Sequence, residues 1–175
     1  MAANIRRITS RGAICLATVL AGLASLSCGG PPVGDEEFTL IADSLGDVPM
    51  HPDALKVDNL ENAHDGSMAT RWTSVANMEP GFFVELKFVR PRKVAGLVLN
   101  TKPSPRDFPR KFVVEVSRDG NDWEEAAAGG TGATKKGITT INFDRPREVQ
   151  YVLITVSEAA PYWWSIYELE VKYAE

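Results

Sequence analysis

The stretch Ala63-His64-Asp65-Gly66-Ser67-Met68-Ala69-Thr70-Arg71-Trp72 gathers a carboxylate, two hydroxyls and an Asp-Gly turn into one short loop. Such a turn places the side-chain oxygens of Asp65 and several backbone carbonyls around one small concavity. A hard cation such as calcium takes about 6–8 oxygen ligands of this kind. A second carboxylate, Glu168, lies far along the chain in Trp164-Ser165-Ile166-Tyr167-Glu168-Leu169 and would extend that shell if the fold brings the two together. The competing reading is a turn aspartate, a capping threonine and a glutamate facing water on an edge strand. Asp-Gly alone does not decide between them, because it marks tight turns generally.

The elements that must position these residues read as strands. Phe83–Phe88, Val94–Leu99, Phe112–Val116, Ile138–Phe143, Tyr151–Val156 and Ile166–Tyr173 show alternating or β-branched character, and no segment sustains a helical period. Between them lie Pro80-Gly81, Pro103-Ser104-Pro105, Asp119-Gly120-Asn121 and Gly129-Gly130-Thr131-Gly132, which are turn compositions. Many short strands at such spacing predict an all-β sandwich. Ala126–Gly132 is expected to be a loop, and Phe38–Met50 either supplies a first strand or covers an edge.

The N-terminus is expected to be an export signal. Residues 1–27 carry a basic start (Arg6, Arg7, Arg11) and an apolar stretch from Ala13 to Leu26, too short and wrongly flanked for a spanning helix. Ending at Cys28, the segment resembles a bacterial lipoprotein signal, which implies lipidation of Cys28. It departs from that pattern in having Ser25, where leucine is favoured, three places before the cysteine. Residues 28–37 read as a tether, since Gly, Pro and acidic residues bury little apolar surface. Residues 38–175 form the expected domain.

Cys15 lies within the signal and Cys28 at its end, so the domain has no thiol for a disulfide, a zinc site or nucleophilic catalysis. Removing the signal takes the net charge from −4 to −7, counting the three arginines that leave with it. So acidic a domain is a poor match for nucleic acid or an anionic membrane surface, leaving lipid as the expected route to a membrane. His51 and His64 lack metal-binding spacing, and there is no Ser/His/Asp order, phosphate-cradling loop or dinucleotide fingerprint. Paired carboxylates are too plentiful to single out a glycosidase pair.

Residues 107–123, running from Asp107-Phe108-Pro109-Arg110-Lys111-Phe112 through Val116-Ser117-Arg118-Asp119-Gly120-Asn121-Asp122-Trp123, complete a longer pattern. Together with the Ala63–Trp72 loop, Arg147–Ile154 and the closing Trp164–Leu169, they resemble a discoidin domain, also called a coagulation factor five/eight type C domain. Bacterial relatives of that kind include family 32 carbohydrate-binding modules. The resemblance runs from Asp53 to Tyr173 and implies a galactose-binding-like jelly-roll β-sandwich. The chain departs from it at Glu85-Leu86-Lys87, where relatives often carry Asp-Leu-Gly, and in lacking the disulfide that commonly ties the termini of animal discoidin domains.

By that resemblance, Asp65 and Glu168 would give carboxylate oxygens to a structural calcium ion, Thr70 its hydroxyl and carbonyl, and Ser67 a backbone carbonyl. The resemblance also implies binding loops at one end of the sandwich. There Trp163, in Pro161-Tyr162-Trp163-Trp164, would offer a ring to the apolar face of a sugar, with Arg106 and Asp107 as hydroxyl partners and Phe82 as a further stacking residue. The bland reading of these four is solvated loop decoration and a partly buried aromatic. Arg71 is expected to pair with a carboxylate, Trp72, Trp123 and Trp164 to lie in the core, and Arg110 to hold a strand entrance. The expected function is a non-catalytic carbohydrate-binding module of the cell envelope, on the outer membrane where the host has two. The alternative is a protein-interaction or adhesion domain that docks an envelope protein.

Overall fold

The computed structural model describes residues 38–44 and 59–175. Cys28, the export signal, the tether and His51 lie outside the described residues. The strands are β1 (Phe38–Ser44), β2 (Trp72–Met78), β3 (Phe82–Asn100), β4 (Lys111–Ser117), β5 (Trp123–Gly130), β6 (Thr134–Lys135), β7 (Ile138–Val156), β8 (Ala160–Ile166) and β9 (Glu168–Tyr173). Helix is confined, among the described residues, to short 3-10 turns at Leu60–Ala63 and Thr131–Ala133.

Two 19-residue strands, β3 and β7, organise everything else. They pair antiparallel along their lengths, but the ladder breaks between Lys87 and Arg92. There Val89, Arg90 and Pro91 of β3 and Asp144, Arg145 and Pro146 of β7 are exposed. Proline has no N–H to give a ladder, so a strand can bend at this point without losing a bond it would otherwise make. Each long strand thus folds over and serves two layers. The first half of β3 and the second half of β7 lie among β1, β4 and β5, while their other halves lie among β9 and β6.

Burial follows the period of two: Phe82, Val84, Leu86 and Phe88 face inward before the bend. Past it the inward set is Val94, Leu97 and Leu99, shifted by one residue at a bulge centred on Gly96. A Cβ at Gly96 would stand 2.2 Å from the carbonyl oxygen of Ile141, so only glycine fits there. Both layers feed one core, with Val114 and Ile154 from one side and Ile141 and Leu169 from the other. The separate pair β2–β8 contributes Trp72 and Trp164, whose rings meet edge to face at 5.8 Å.

This folding-over gives the sandwich two unlike ends. The bend end holds Val89–Pro91, the β4–β5 turn and both Phe38 and Tyr173, which pair with Phe88 and Val94. The loop end holds the starts of β3, β4 and β9, the ends of β5 and β7, and the segment Thr101–Arg110. It is stitched by backbone bonds from Gly81 to Val156, Ser157 to Lys111, Tyr167 to Asn100 and Thr131 to Arg110.

Several expectations are corrected. Ala126–Gly132 is not a loop: residues up to Gly130 belong to β5, an edge strand on β4. Its small residues suit close packing, since a Cβ on Gly129 would meet the Phe112 ring at 2.5 Å. Pro161–Trp164 is not a loop either but lies within β8, paired to β2. The expected strand Ile166–Tyr173 is divided at Tyr167 between β8 and β9. Phe38–Ser44 does form a first strand, laid along β3.

Candidate functional site

The two carboxylates of the sequence pattern converge at the loop end. Glu168 begins β9 opposite Asn100, and Tyr167 N–H donates to the Asn100 carbonyl, which fixes the approach of that strand to the Asp65 loop. Asn100 Nδ2 also lies 3.3 Å from Met68 Sδ. Within the loop, Asp65 Oδ1 accepts from Ser67 N–H at 2.8 Å and Oδ2 from the Thr70 hydroxyl at 2.6 Å. Gly66 has φ +78, the left-handed geometry that such a turn needs. The Thr70 hydroxyl holds Asp65 below the usual carboxylate range, with Ser67 N–H and the Glu168 carboxyl adding to the effect. Glu168 moves the other way: burial pushes it up and the nearby Asp65 charge adds to that rise, against a smaller opposing pull from the Ser67 and Gly66 N–H groups, neither of which makes a hydrogen bond of full geometry to Oε1.

Glu168 Oε1 is buried and has no hydrogen-bond partner. A buried oxygen left in that condition is costly. Two carboxylates, a hydroxyl and the Ser67 carbonyl form an all-oxygen donor set, and the residues present therefore fit a hard cation. No cluster of three or more His, Cys, Asp or Glu side chains exists among the described residues, so backbone and hydroxyl oxygens would have to complete the shell. His64 takes no part in that donor set; its ring lies 5.0 Å from the ring of Phe38.

The expected binding residues are only partly brought together. Trp163 is 42% exposed, whereas its neighbour Trp164 is fully buried. Strand alternation explains the contrast, and it puts Trp163 on the face of Ser165. The Ser165 hydroxyl donates to Asp107 Oδ2 at 2.9 Å, and Ser165 N–H donates to the Asp107 carbonyl at 3.0 Å. Asp107 also lies 3.9 Å from Arg71, which bonds Ser104 and the Tyr167 hydroxyl. Asp107 is therefore a tie between the loop and β8, with its carboxylate largely engaged by protein. Arg71 pairs with a carboxylate as expected.

Arg106 turns toward Tyr162, with its guanidinium 5.3 Å from the ring centre, and remains exposed. Arg110 lies on the same ring at 5.0 Å and donates to the carbonyls of Phe108 and Arg106, which locks the entrance to β4. Phe82 is corrected outright: at 3% exposure it is a core residue of β3 and offers no face to a ligand. Trp123 is half-buried rather than core, edge-on to Tyr151 at 6.2 Å.

Sequence reasoning missed the immediate surroundings of Trp163. Asn77 is its cross-strand partner on β2, and a shallow cavity of about 260 Å³ lined by Asn77, Glu79, Ala159, Ala160 and Pro161 lies beside it. No spacing rule pointed to Asn77 or Glu79, because their nearness to Trp163 arises from β2–β8 pairing across a long separation. A cavity of about 770 Å³ lies at the bend end among Arg118, Asp122, Glu124, Arg147 and Glu148. Several of its charges are mutually engaged: Arg147 with Asp144 and Glu124, and Arg118 with Glu148.

Two layers of antiparallel strands closed by a short pair, with oxygen donors and an exposed tryptophan at one end, define a galactose-binding-like β-sandwich. The chain belongs to the F5/8 type C domain family, whose model matches residues 53–169. No match is found among curated proteins. Among solved structures, the chain is similar to the family 32 module of Clostridium perfringens NanJ, in complex with galactose. That match has 21% identity and a TM-score of 0.60, and it covers 78% of this chain and 93% of that one. It is similar too to CpGH89CBM32-5 of the same organism, in complex with GalNAc-β-1,3-galactose, at 20% identity and a TM-score of 0.60, covering 78% and 95%. Chitosan-binding module 1 from the chitosanase/glucanase of Paenibacillus sp. IK-5 matches at 24% identity and a TM-score of 0.57, covering 77% and 94%.

Proposed function

We propose that this chain is a non-catalytic carbohydrate-binding module that takes a sugar on Trp163. The observation that carries the reading is one exposed indole on a strand, with a shallow cavity carrying Asn77 and Glu79 nearby and the Ser165–Asp107–Arg71 network two residues along β8. The apolar C–H face of a sugar ring stacks on such an indole, with Asn77 across the strand pair and Glu79 in the neighbouring cavity to serve its hydroxyls, and Arg106, exposed over Tyr162, as the expected forked donor. Neighbours in complex with galactose and with GalNAc-β-1,3-galactose support this class of ligand. A calcium ion held by Asp65, Glu168, Thr70 and the Ser67 carbonyl would brace the loop end, giving Glu168 Oε1 the partner it lacks. When bound, the ion supplies charge neutralisation and cross-linking, and no turnover is assigned to it.

The same reading places the protein at the cell envelope, with lipid on Cys28 as its anchor. In a bacterial host, wild-type protein should partition into detergent and Cys28→Ala should not. For the sugar, a glycan array with the mature domain should yield a ligand bound in the micromolar to millimolar range, roughly −8 to −4 kcal/mol. An array without any ligand, or full binding by Trp163→Ala, would shift the reading to a protein-docking domain.

A further inference from the structure

A second feature of the loop end is absent from the sequence reading. The β6–β7 connection is a two-residue turn, Lys136-Gly137, closed by the Lys135–Ile138 pair. Both turn residues have positive φ, +53 at Lys136 and +74 at Gly137. Asn-Gly is the favoured occupant of that geometry, and a lysine in the left-handed region is held there against its own preference. The turn is also seated firmly. The Gly137 carbonyl accepts from Thr101 N–H at 2.7 Å and from the Thr101 hydroxyl at 3.1 Å, and Thr101 is buried. A Cβ on Gly137 would stand 2.8 Å from Lys102 Cα, so the turn can sit against Lys102 only because glycine is there.

This packing gathers Lys102, Lys135 and Lys136 on one exposed surface. None of their ammonium groups has an ion-pair partner among the described residues. Three like charges held together this way repel one another, and in a chain of net charge −4 they stand against the overall sign. Lys102 lies within the hydrogen-bonded segment Thr101–Ser104–Asp107, which is tied to Ser165, two residues from Trp163 on β8.

We propose that Lys102, Lys135 and Lys136 bind the carboxylate or sulfate groups of an acidic polysaccharide that also stacks a sugar residue on Trp163. The proposal rests on the reading of Trp163 as a sugar platform and names the class of glycan. Lysine suits the task, because a solvated point charge on a flexible stem follows anionic groups that repeat along a mobile chain.

The test uses the full-length chain in detergent, with polygalacturonate and heparin as acidic probes and a neutral galactan as control. The expected result is binding of at least one acidic probe that weakens with added salt and falls about tenfold or more in the triple variant K102Q/K135Q/K136Q. That variant should keep its melting temperature and its neutral-sugar binding, whereas Trp163→Ala should weaken acidic and neutral binding alike and leave melting nearly unchanged. Neutral binding without acidic binding, or acidic binding untouched by the triple substitution, overturns the lysine proposal and leaves the Trp163 reading standing. Acidic binding lost in the triple variant but kept by Trp163→Ala supports the lysines and overturns the stacking platform. Equal retention of duplex DNA or anionic vesicles overturns a glycan-specific surface in favour of charge alone, and no binding to any probe overturns both.

Discussion

At the bend end Arg147 and Arg118 are paired with carboxylates, whereas at the loop end an indole and three lysines are left without such partners among the described residues. Arg147, only 12% exposed, donates to Asp144 and Glu124, and Arg118 lies against Glu148, so the 770 Å³ cavity there is lined in part by groups that already satisfy one another. The loop end carries instead an exposed indole, an unpartnered Glu168 oxygen, and lysines without counter-ions among the described residues. Size of cavity is therefore a poor guide in this molecule. What separates a structural end from a binding end is whether its polar and aromatic groups have been left over by the fold.

The sharpest probe of that contrast is a pair of adjacent residues. Trp164→Ala should empty a fully buried site against Trp72 and cost about 3–5 kcal/mol, lowering the melting temperature by more than about 10 °C. Trp163→Ala should leave melting nearly unchanged and weaken sugar binding about tenfold or more, about 1.4 kcal/mol. Calorimetry and titration on the two variants check both halves. A Trp163 variant that melts far below wild type would make that residue structural and dissolve the distinction.

Next in size is the effect of calcium. A ligand that binds only the folded state stabilises it by roughly 2.7 kcal/mol at a hundredfold excess over its dissociation constant. Chelator should thus lower the melting temperature by several degrees and calcium restore it, with Asp65→Ala and Glu168→Gln abolishing the response. If chelator leaves wild type unmoved, the loop is a turn held by Asp65 and Thr70 alone.

Much of the frame was legible because it follows from local pattern. Alternation located the halves of β3 and β7, and the Asp-Gly turn with a distant Glu168 pointed to a convergence that Asn100 and β9 do produce. Continuity was not legible: nothing local to Val89–Pro91 says that two strands are one, since that depends on both halves meeting β7. The strand β5 was hidden by its alanines and glycines, which have low β-propensity and are recruited by the close approach of Phe112. Phe82 looked like an exposed turn neighbour after Pro80-Gly81, but the phase of Val84, Leu86 and Phe88 carries it inward. Asp107 looked available because its partner Ser165 lies 58 positions away.

A smaller contrast separates two arginines. Arg106→Ala at the loop end should weaken sugar binding, by about tenfold where its guanidinium contributes a forked donor to the ligand, with little change in stability. Arg147→Ala at the bend end should do the reverse, leaving binding alone and lowering the melting temperature by a few degrees, because a largely buried side chain there holds the exposed carboxylates of Asp144 and Glu124 in one network. Loss of binding in the Arg147 variant would show that the two ends are coupled.

The smallest effect is a pH dependence with opposite limbs from the two carboxylates. Asp65 is held below its ordinary value of 3.8, first by the Thr70 hydroxyl, so its contribution to stability is present above that value and is lost as pH falls through the folded one. Glu168 is pushed above its ordinary value of 4.5, first by burial and further by Asp65. The folded state therefore holds the Glu168 proton more tightly than the unfolded chain, and stability is lost as pH rises from 4.5 through the folded value. In chelator, melting temperature followed against pH should pass through a maximum between these limbs. Glu168→Gln should flatten the upper limb and leave the lower one. Calcium should act on the same limb, since a cation between the carboxylates offsets the cost of ionising Glu168 and competes with its proton. An upper limb that persists unchanged in saturating calcium would mean that the ion, if bound at all, does not sit against Glu168.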